Sequence, residues 1–375
     1  MKALPVYTKF DLNLVRAKDC YLYDDKGNKI LDFYSGHGVI SIGHSNEYYV
    51  SKLNEQISRL LYYSNAVEFD EQSELCATLG RVSGCNNYDL FMSNSGAEAI
   101  ENALKAASYI TGRTNVVCML NSFHGRTSLA AQCTEASKIA APINHGLNIK
   151  WVKLGDFAAA ESAIDQDTAA VLIEGIQGVG GIMEAPSEFW QLLSKKCEST
   201  GAMLIADEIQ SGFGRTGKFF AFQHHNVEPD IICTAKGMGN GYPVSGTLIK
   251  QKYKLSMGSL GTTFGGNPLA CKAVLSVTEV IEKEKLCEKA EFLGNYLKEG
   301  LLKIEGIKEV RGRGLMIAFD LNEDSSSFRT ALLKDCGIIT GNARNKNTVR
   351  ILPPLTVTRE MCSEFLDKVS ILLKK

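Results

Sequence analysis

Five short apolar runs alternate with longer segments of helical length between residues 89 and 235, and this alternation constrains the fold more than any other feature. The runs are DLFMS (89–93), NVVCML (115–120), AAVLIE (169–174), AMLIAD (202–207) and DIICTA (230–235). Each is apolar throughout rather than at every second residue, as a strand buried on both faces must be. Between them, GAEAIENALKAASYITG (96–112) and PSEFWQLLSKKCESTG (186–201) read as helices, the second with Pro186 and Ser187 near its start and Gly201 at its end. The pattern predicts an α/β fold whose mostly parallel sheet is covered by helices on both faces.

The pattern changes from about residue 282. A charged helix over roughly 282–303 leads into IKEVRGRGLMIAFDL and then into mixed strands and helices, a smaller α+β unit. Near the start, CYLYDDKGNKILDFYSG reads as a hairpin turning at Lys26, Gly27 and Asn28. The expected division is an N-terminal segment (1–50) that joins the small domain, a large domain (51–281) and a C-terminal small domain (282–375).

Charge narrows the partners. A formal net charge of −1 gives no basic excess for nucleic acid or an anionic membrane. The eleven cysteines come no closer than Cys76 to Cys85, so there is no CxxC pair and no metal site is expected. MKALPVYTKFDLNL has no apolar leader, and no run reaches the roughly 18 apolar residues that span a bilayer. A soluble, cytoplasmic protein of reduced thiols is expected.

In an open α/β sheet, ligands sit beyond the carboxyl ends of the strands, so the residues there carry the functional signal. NSGAEA (94–99) follows the first run: Gly96 admits close backbone approach at a helix start, where free amides and the helix dipole favour an anion such as phosphate. The plainer alternative is an ordinary helix start capped by Ser95. NSFHGRT (121–127) follows the second: Phe123 offers a face to a planar ring and Arg126 a fork to a carboxylate, or they are a core phenylalanine and a surface arginine. His124 reads more readily as a hydrogen-bonded loop histidine than as a base. Asp207 directly follows an apolar run and needs a cationic partner or hydrogen bonds, Arg215 being a candidate. Lys236 ends the last run and is surrounded by Gly237, Gly239, Gly241 and Gly246.

A phosphate site, a stacking aromatic, a buried acid and a strand-end lysine suit one cofactor together, pyridoxal 5'-phosphate. The helix amides would take its phosphate and Phe123 would cover its ring. Asp207 would keep the ring nitrogen protonated, and Lys236 would form the Schiff base and shuttle the proton.

The stretches SNSGAEA, FHGRT, DEIQSGFGRTG, AKGMGNGYP and GTTFGGNPLAC occur in the order found in the class III aminotransferases of the fold-type I pyridoxal-phosphate enzymes. The chain resembles that family from about residue 7 to its end, and within it most closely the acetylornithine and succinylornithine aminotransferases. The resemblance implies catalytic roles for Lys236 and Asp207. It implies cofactor contacts from Ser95, Gly96, Ala97, Phe123, His124, Ile209 and Gln210, with Thr263 reaching the phosphate from the neighbouring subunit of a homodimer that shares its active sites. It implies substrate contacts from Arg126, Thr262, Arg350 and Glu174. The implied activity moves the δ-amino group of an N-acylated ornithine to 2-oxoglutarate, in arginine biosynthesis or related metabolism. The alternatives are another ω-amino acid aminotransferase, acting on 4-aminobutyrate, ornithine or a diamine, and, in a different class, a non-catalytic phosphate-binding α/β protein.

One departure from the family pattern stands out. Where many members have VEPIQGEGG, this chain has IEGIQGVGG, with Val179 in place of the glutamate that pairs with the family arginine corresponding to Arg350. A buried, unpaired guanidinium is costly, so Arg350 is expected to stay partly hydrated or to move.

Overall fold

The computed structural model describes residues 1–135 and 138–374. Among the described residues, the central sheet has seven strands in the order Tyr88–Ser93, Ser245–Lys250, Ile231–Thr234, Met203–Asp207, Thr168–Glu174, Asn115–Met119, Ile149–Val152. All pair in parallel except Ser245–Lys250, which runs antiparallel to both neighbours.

The continuous apolar runs are explained by burial from both sides. Val116, Cys118, Ala170, Leu172 and Ile205 face the core beneath helix Gly96–Thr111. Their neighbours Val117, Met119, Val171, Ile173 and Leu204 face the opposite core, with Phe189, Trp190 and Leu193 of helix Ser187–Thr200.

Two strands escape the sequence pattern. SGTLIK (245–250) begins with polar residues and glycine yet lies inside the sheet. Ser245 and Thr247 are fully buried, and their hydroxyls bond to Ser93 Oγ (2.8 Å) and the Ala99 carbonyl (3.2 Å). A Cβ at Gly246 would meet the Leu90 side chain at 2.8 Å, so the sheet closes around its missing side chain. IKWV (149–152) is a short edge strand.

The expected helix over 282–303 is present as Leu286–Leu301, and a separate helix precedes it. Pro268–Lys283, capped by Asn267, packs between helices Glu47–Arg59 and Asp70–Ser83. The chain turns at Lys285 (φ 52°), and Leu286–Leu301 follows.

The hairpin turn forms where Asp24 accepts the Lys26 and Asn28 amides (3.0 and 2.8 Å). Its second strand, Lys29–Asp32, pairs in parallel with Ile338–Ile339 of the C-terminal segment. A separate antiparallel sheet of Ile307–Arg313, Met316–Leu321, Thr348–Ile351 and Gly341–Asn342 carries Arg350. No helix among the described residues is long and apolar enough to cross a membrane.

Candidate active site

Sheet register brings the polar strand ends to one level. Glu174 pairs with Asp207, and Asp207 with Cys233, three residues before Lys236. The residues there line a cavity of about 290 Å³ that includes Ser95, Gly96, Ala97, Phe123, His124, Glu174, Asp207, Ile209, Gln210 and Lys236. Val179, the departure from the family pattern, lines it too, as do Val39 and Tyr242, which sequence reasoning gave no place in a cofactor or substrate pocket.

Asp207 is buried and takes its hydrogen bonds from His124 Nδ1 (2.7 Å) and the Ile209 amide (3.0 Å). Arg215, the candidate partner in sequence, is elsewhere. It is fully buried and donates to the Leu315 and Pro353 carbonyls, and burial lowers its pKa to about 10. His124 is the real partner. Burial alone would lower its pKa, but the hydrogen bond and charge of Asp207 outweigh burial and raise it. Glu174 braces two loops, one oxygen accepting the Phe123 amide and the other the Gly178 amide (both 2.9 Å), and burial raises its pKa to about 7.

Lys236 opens a tight turn with φ at 47°, a conformation that strains any residue with a Cβ. Burial lowers its amine pKa, against the pull of Asp207 and Glu174, while Arg350 adds to the lowering. The amine is thereby shifted toward the neutral, nucleophilic form.

The helix start does two jobs. Ser95 Oγ caps the Glu98 amide (3.3 Å), and Glu98 in turn accepts the Asn94 amide and the Ser95 hydroxyl (2.9 and 3.1 Å). The Gly96 and Ala97 amides have no acceptor among the described residues, as the first turn of a helix dictates. A Cβ at Gly96 would come within 2.9 Å of Ile209, and one at Gly125 within 2.8 Å of Ala97. Gly96→Ala is expected to push Ile209 out of place. Overpacking of this size costs about 1–3 kcal/mol, so the apoprotein should bind pyridoxal phosphate about tenfold more weakly, measured by absorbance titration.

Arg350 is 3% exposed and has no carboxylate within salt-bridge distance among the described residues. The expectation of hydration or movement leaves out neutral acceptors. Neutral acceptors hold it: Nε donates to the Asn342 carbonyl (2.5 Å), Nη1 to Gln210 Oε1 (3.4 Å) and Nη2 to the Tyr34 hydroxyl (3.2 Å). Sequence reasoning missed Tyr34 and Asn342; a histidine between glycines in YSGHG was the only local sign.

Four expected site residues do not line the cavity of the single chain: Arg350, which meets it through Gln210, and Arg126, Thr262 and Thr263. Arg126 is exposed, its guanidinium 5.8 Å from the Phe123 ring centre. Thr262 accepts from Asn94 Nδ2 (3.4 Å) and borders a second cavity beside Met92, and Thr263 is exposed.

Pyridoxal phosphate asks for four things, and this cavity contains them. Two free amides at a helix N-terminus suit its phosphate. Phe123 and Ile209 offer apolar walls, Asp207 offers an acid fixed by His124, and Lys236 offers an amine in reach of the same space.

Comparison with known proteins agrees. The family model Aminotransferase class-III matches residues 5–373. The chain is 38% identical to the acetylornithine aminotransferase of Archaeoglobus fulgidus, over 95% of this chain and 94% of that one. It is 39% identical to a putative [LysW]-aminoadipate semialdehyde/glutamate semialdehyde transaminase of Pyrococcus abyssi, over 94% of each. Among solved structures it resembles the ornithine aminotransferase of Toxoplasma gondii, seen with partial occupancy of pyridoxal phosphate (TM-score 0.91, 29% identity, 99% of this chain and 91% of that one). It also resembles the acetylornithine aminotransferase of Elizabethkingia anophelis (TM-score 0.84, 30% identity, 99% and 96%).

Proposed function

This chain belongs to the class III aminotransferases, pyridoxal-phosphate enzymes of fold type I, and we propose that it moves the terminal amino group of an ornithine acylated on its α-nitrogen to 2-oxoglutarate. The observation that carries the reading is one cavity holding Lys236, Asp207 and the Gly96 and Ala97 amides, with Arg350 bonded to the cavity-lining Gln210. Relatives named for acetylornithine, alike over almost the whole chain, support the choice of donor.

When bound, pyridoxal phosphate supplies a carbonyl that takes up the amino group and a ring that draws electrons from the reacting carbon. The chain does the rest. Gly96 and Ala97 hold the phosphate through their amides. Asp207 keeps a proton on the ring nitrogen, and His124 Nδ1 keeps Asp207 oriented. Lys236 Nζ would hold the cofactor and, as a neutral amine, would take and give back the proton at the reacting carbon. Arg350 receives the carboxylate beside the reacting carbon of glutamate, and Arg126 the carboxylate at the far end of the donor.

The reading includes a cytoplasmic homodimer. Exposed Leu60, Leu61, Tyr63, Met257 and Phe264 support an interface around the loop that carries Thr262 and Thr263, and a second copy would bring Thr263 to the cofactor phosphate. The place in metabolism is arginine biosynthesis or a related route.

A half-reaction screen tests the donor. The yellow holoenzyme is mixed with N-acetylornithine, N-succinylornithine, ornithine and 4-aminobutyrate in turn, and loss of the visible band is followed. Fastest loss with an N-acylornithine is expected; faster loss with ornithine or 4-aminobutyrate would replace the proposed donor.

Val179 supplies a second test. It lines the cavity, and a Cβ on neighbouring Gly178 would sit 3.6 Å from Arg350 Nη1. Val179→Glu is expected to place a carboxylate against Arg350 and compete with 2-oxoglutarate. A charge-assisted pair is worth about 1.5–3 kcal/mol, so the 2-oxoglutarate half-reaction should weaken about tenfold or more. The acylornithine half-reaction should change much less. Equal slowing of both in single-turnover experiments would show that position 179 does not face Arg350.

A further inference from the structure

Arg350 lies on a closed ring of hydrogen bonds. Its Nη1 donates to Gln210 Oε1 (3.4 Å), and Gln210 Nε2 donates to the His37 carbonyl (2.9 Å). Its Nη2 donates to the Tyr34 hydroxyl (3.2 Å), which lies 2.5 Å from His37 Nδ1. Both arms of the guanidinium therefore end on one residue, one on the His37 backbone and the other on its ring.

The segment that offers both contacts is built at a cost. Ser35, Gly36, His37 and Gly38 all have positive φ (52°, 55°, 73° and 75°). A left-handed residue with a Cβ costs about 1–2 kcal/mol, and Ser35 and His37 both have one. Asp32 fixes the entry to this turn by accepting the Tyr34 and Ser35 amides (2.9 and 2.7 Å), and His44 Nε2 lies 2.8 Å from the same carboxylate. Strain held in place next to a candidate site points to a role there.

We infer that Tyr34 and His37, with Gln210, form a neutral cradle that orients Arg350 for a substrate carboxylate, in place of an acid that would have to be displaced. The inference rests on the reading of Arg350 as the carboxylate receiver.

Donor counting supports the cradle. A guanidinium has five N–H donors. Asn342 takes that of Nε, while Gln210 and Tyr34 take one from each terminal nitrogen. One N–H remains on each terminal nitrogen, the pair that a carboxylate engages as a fork. Gly178 lets the backbone pass close to the contact between Gln210 and Arg350: a Cβ there would overlap Gln210 Oε1 and lie 3.6 Å from Arg350 Nη1. The cradle also stays uncharged. Burial raises the Tyr34 pKa, so the phenol keeps its proton and donates it to His37. Burial lowers the His37 pKa, and the Lys236 and Arg350 charges lower it further, so the ring is neutral and Nδ1 accepts the Tyr34 proton in the tautomer protonated at Nε2. Tyr34 and His37 are thus positioning residues, acting through Arg350.

The test uses the holoenzyme and separate half-reactions. Tyr34→Phe keeps the ring and removes the hydroxyl; KM for 2-oxoglutarate should rise about tenfold, with little change in the acylornithine half-reaction. His37→Ala, which keeps Tyr34, should shift KM in the same direction. His37→Asn should restore most of it, since asparagine tolerates positive φ and its side-chain oxygen can accept the Tyr34 proton. Arg350→Gln separates the two claims. If it leaves the 2-oxoglutarate half-reaction intact, the reading of Arg350 fails. If Arg350→Gln cripples that half-reaction while Tyr34→Phe has no effect or slows both halves alike, the cradle alone is overturned. Should Tyr34→Phe not fold, the His37 pair decides, and a loss in His37→Ala that asparagine does not restore rejects the cradle.

Discussion

Lys236→Ala should keep its fold and bind pyridoxal phosphate reversibly, yet lose turnover by a factor on the order of 10⁴ or more. Two functions of one atom disappear together. The first is the covalent hold on the cofactor, which needs an amine in its neutral form. Burial supplies that by lowering the Lys236 pKa. The second is proton transfer at the reacting carbon, worth about 10²–10⁴ on its own. The fold should survive because the substitution does not open the core: Lys236 is only half-buried and lines a cavity. Alanine at a φ of 47° keeps the strain already present at Lys236, so circular dichroism and melting temperature should change little. The checks are steady-state turnover and release of cofactor on gel filtration, which the parent should resist and the variant should not. Multiple turnover near the parent rate would remove Lys236 from the chemistry.

The sequence made the central sheet legible because strands buried on both faces must be apolar at every position, and few other elements are. It hid Ser245–Lys250 for the opposite reason. There, burial is achieved by pairing hydroxyls with Ser93 and Ala99 rather than by apolar side chains, and no periodicity marks that. It started helix Leu286–Leu301 a few residues early, near 282, because the break at Lys285 is a backbone conformation on an ordinary helix-forming residue.

In the site, strand-end residues were legible because topology alone sends Asp207, Glu174 and Lys236 to the same edge. Partners across long sequence separations were not. His124 lies 83 residues from Asp207, and Tyr34 lies 316 from Arg350. Arg215 looked a reasonable partner for Asp207 by nearness in sequence, but the fold turns it toward the Leu315 and Pro353 carbonyls. The expectation of a hydrated or displaced Arg350 counted acids and water as acceptors and left out the carbonyl, amide and phenol that hold it here.

Asp207 gives the other large effect. Asp207→Ala should leave the cofactor bound and attached, since the Gly96 and Ala97 amides and Lys236 are untouched, but proton removal from the donor carbon should slow by a factor on the order of 10³ or more. The reason is electrostatic. A fixed charge in a dry site, aimed at where charge develops, supplies a large share of a rate enhancement. Asp207 is such a charge, 4% exposed and held by the His124 ring and the Ile209 amide. Asp207→Asn separates charge from shape, because its side-chain oxygen can still accept the Ile209 amide. Loss of rate in both variants assigns the effect to charge; loss in alanine alone assigns it to packing. The pair also has a signature in stability. His124 has a raised pKa in the folded protein, so its stabilising charge is fully present below the unfolded value of about 6.5 and is lost as pH rises through the folded value. In the apoprotein, Asp207→Asn should flatten that pH dependence of the melting temperature. If proton removal in single-turnover experiments stays near the parent rate in both variants, Asp207 serves only to hold His124, and the ring nitrogen must keep its proton by other means.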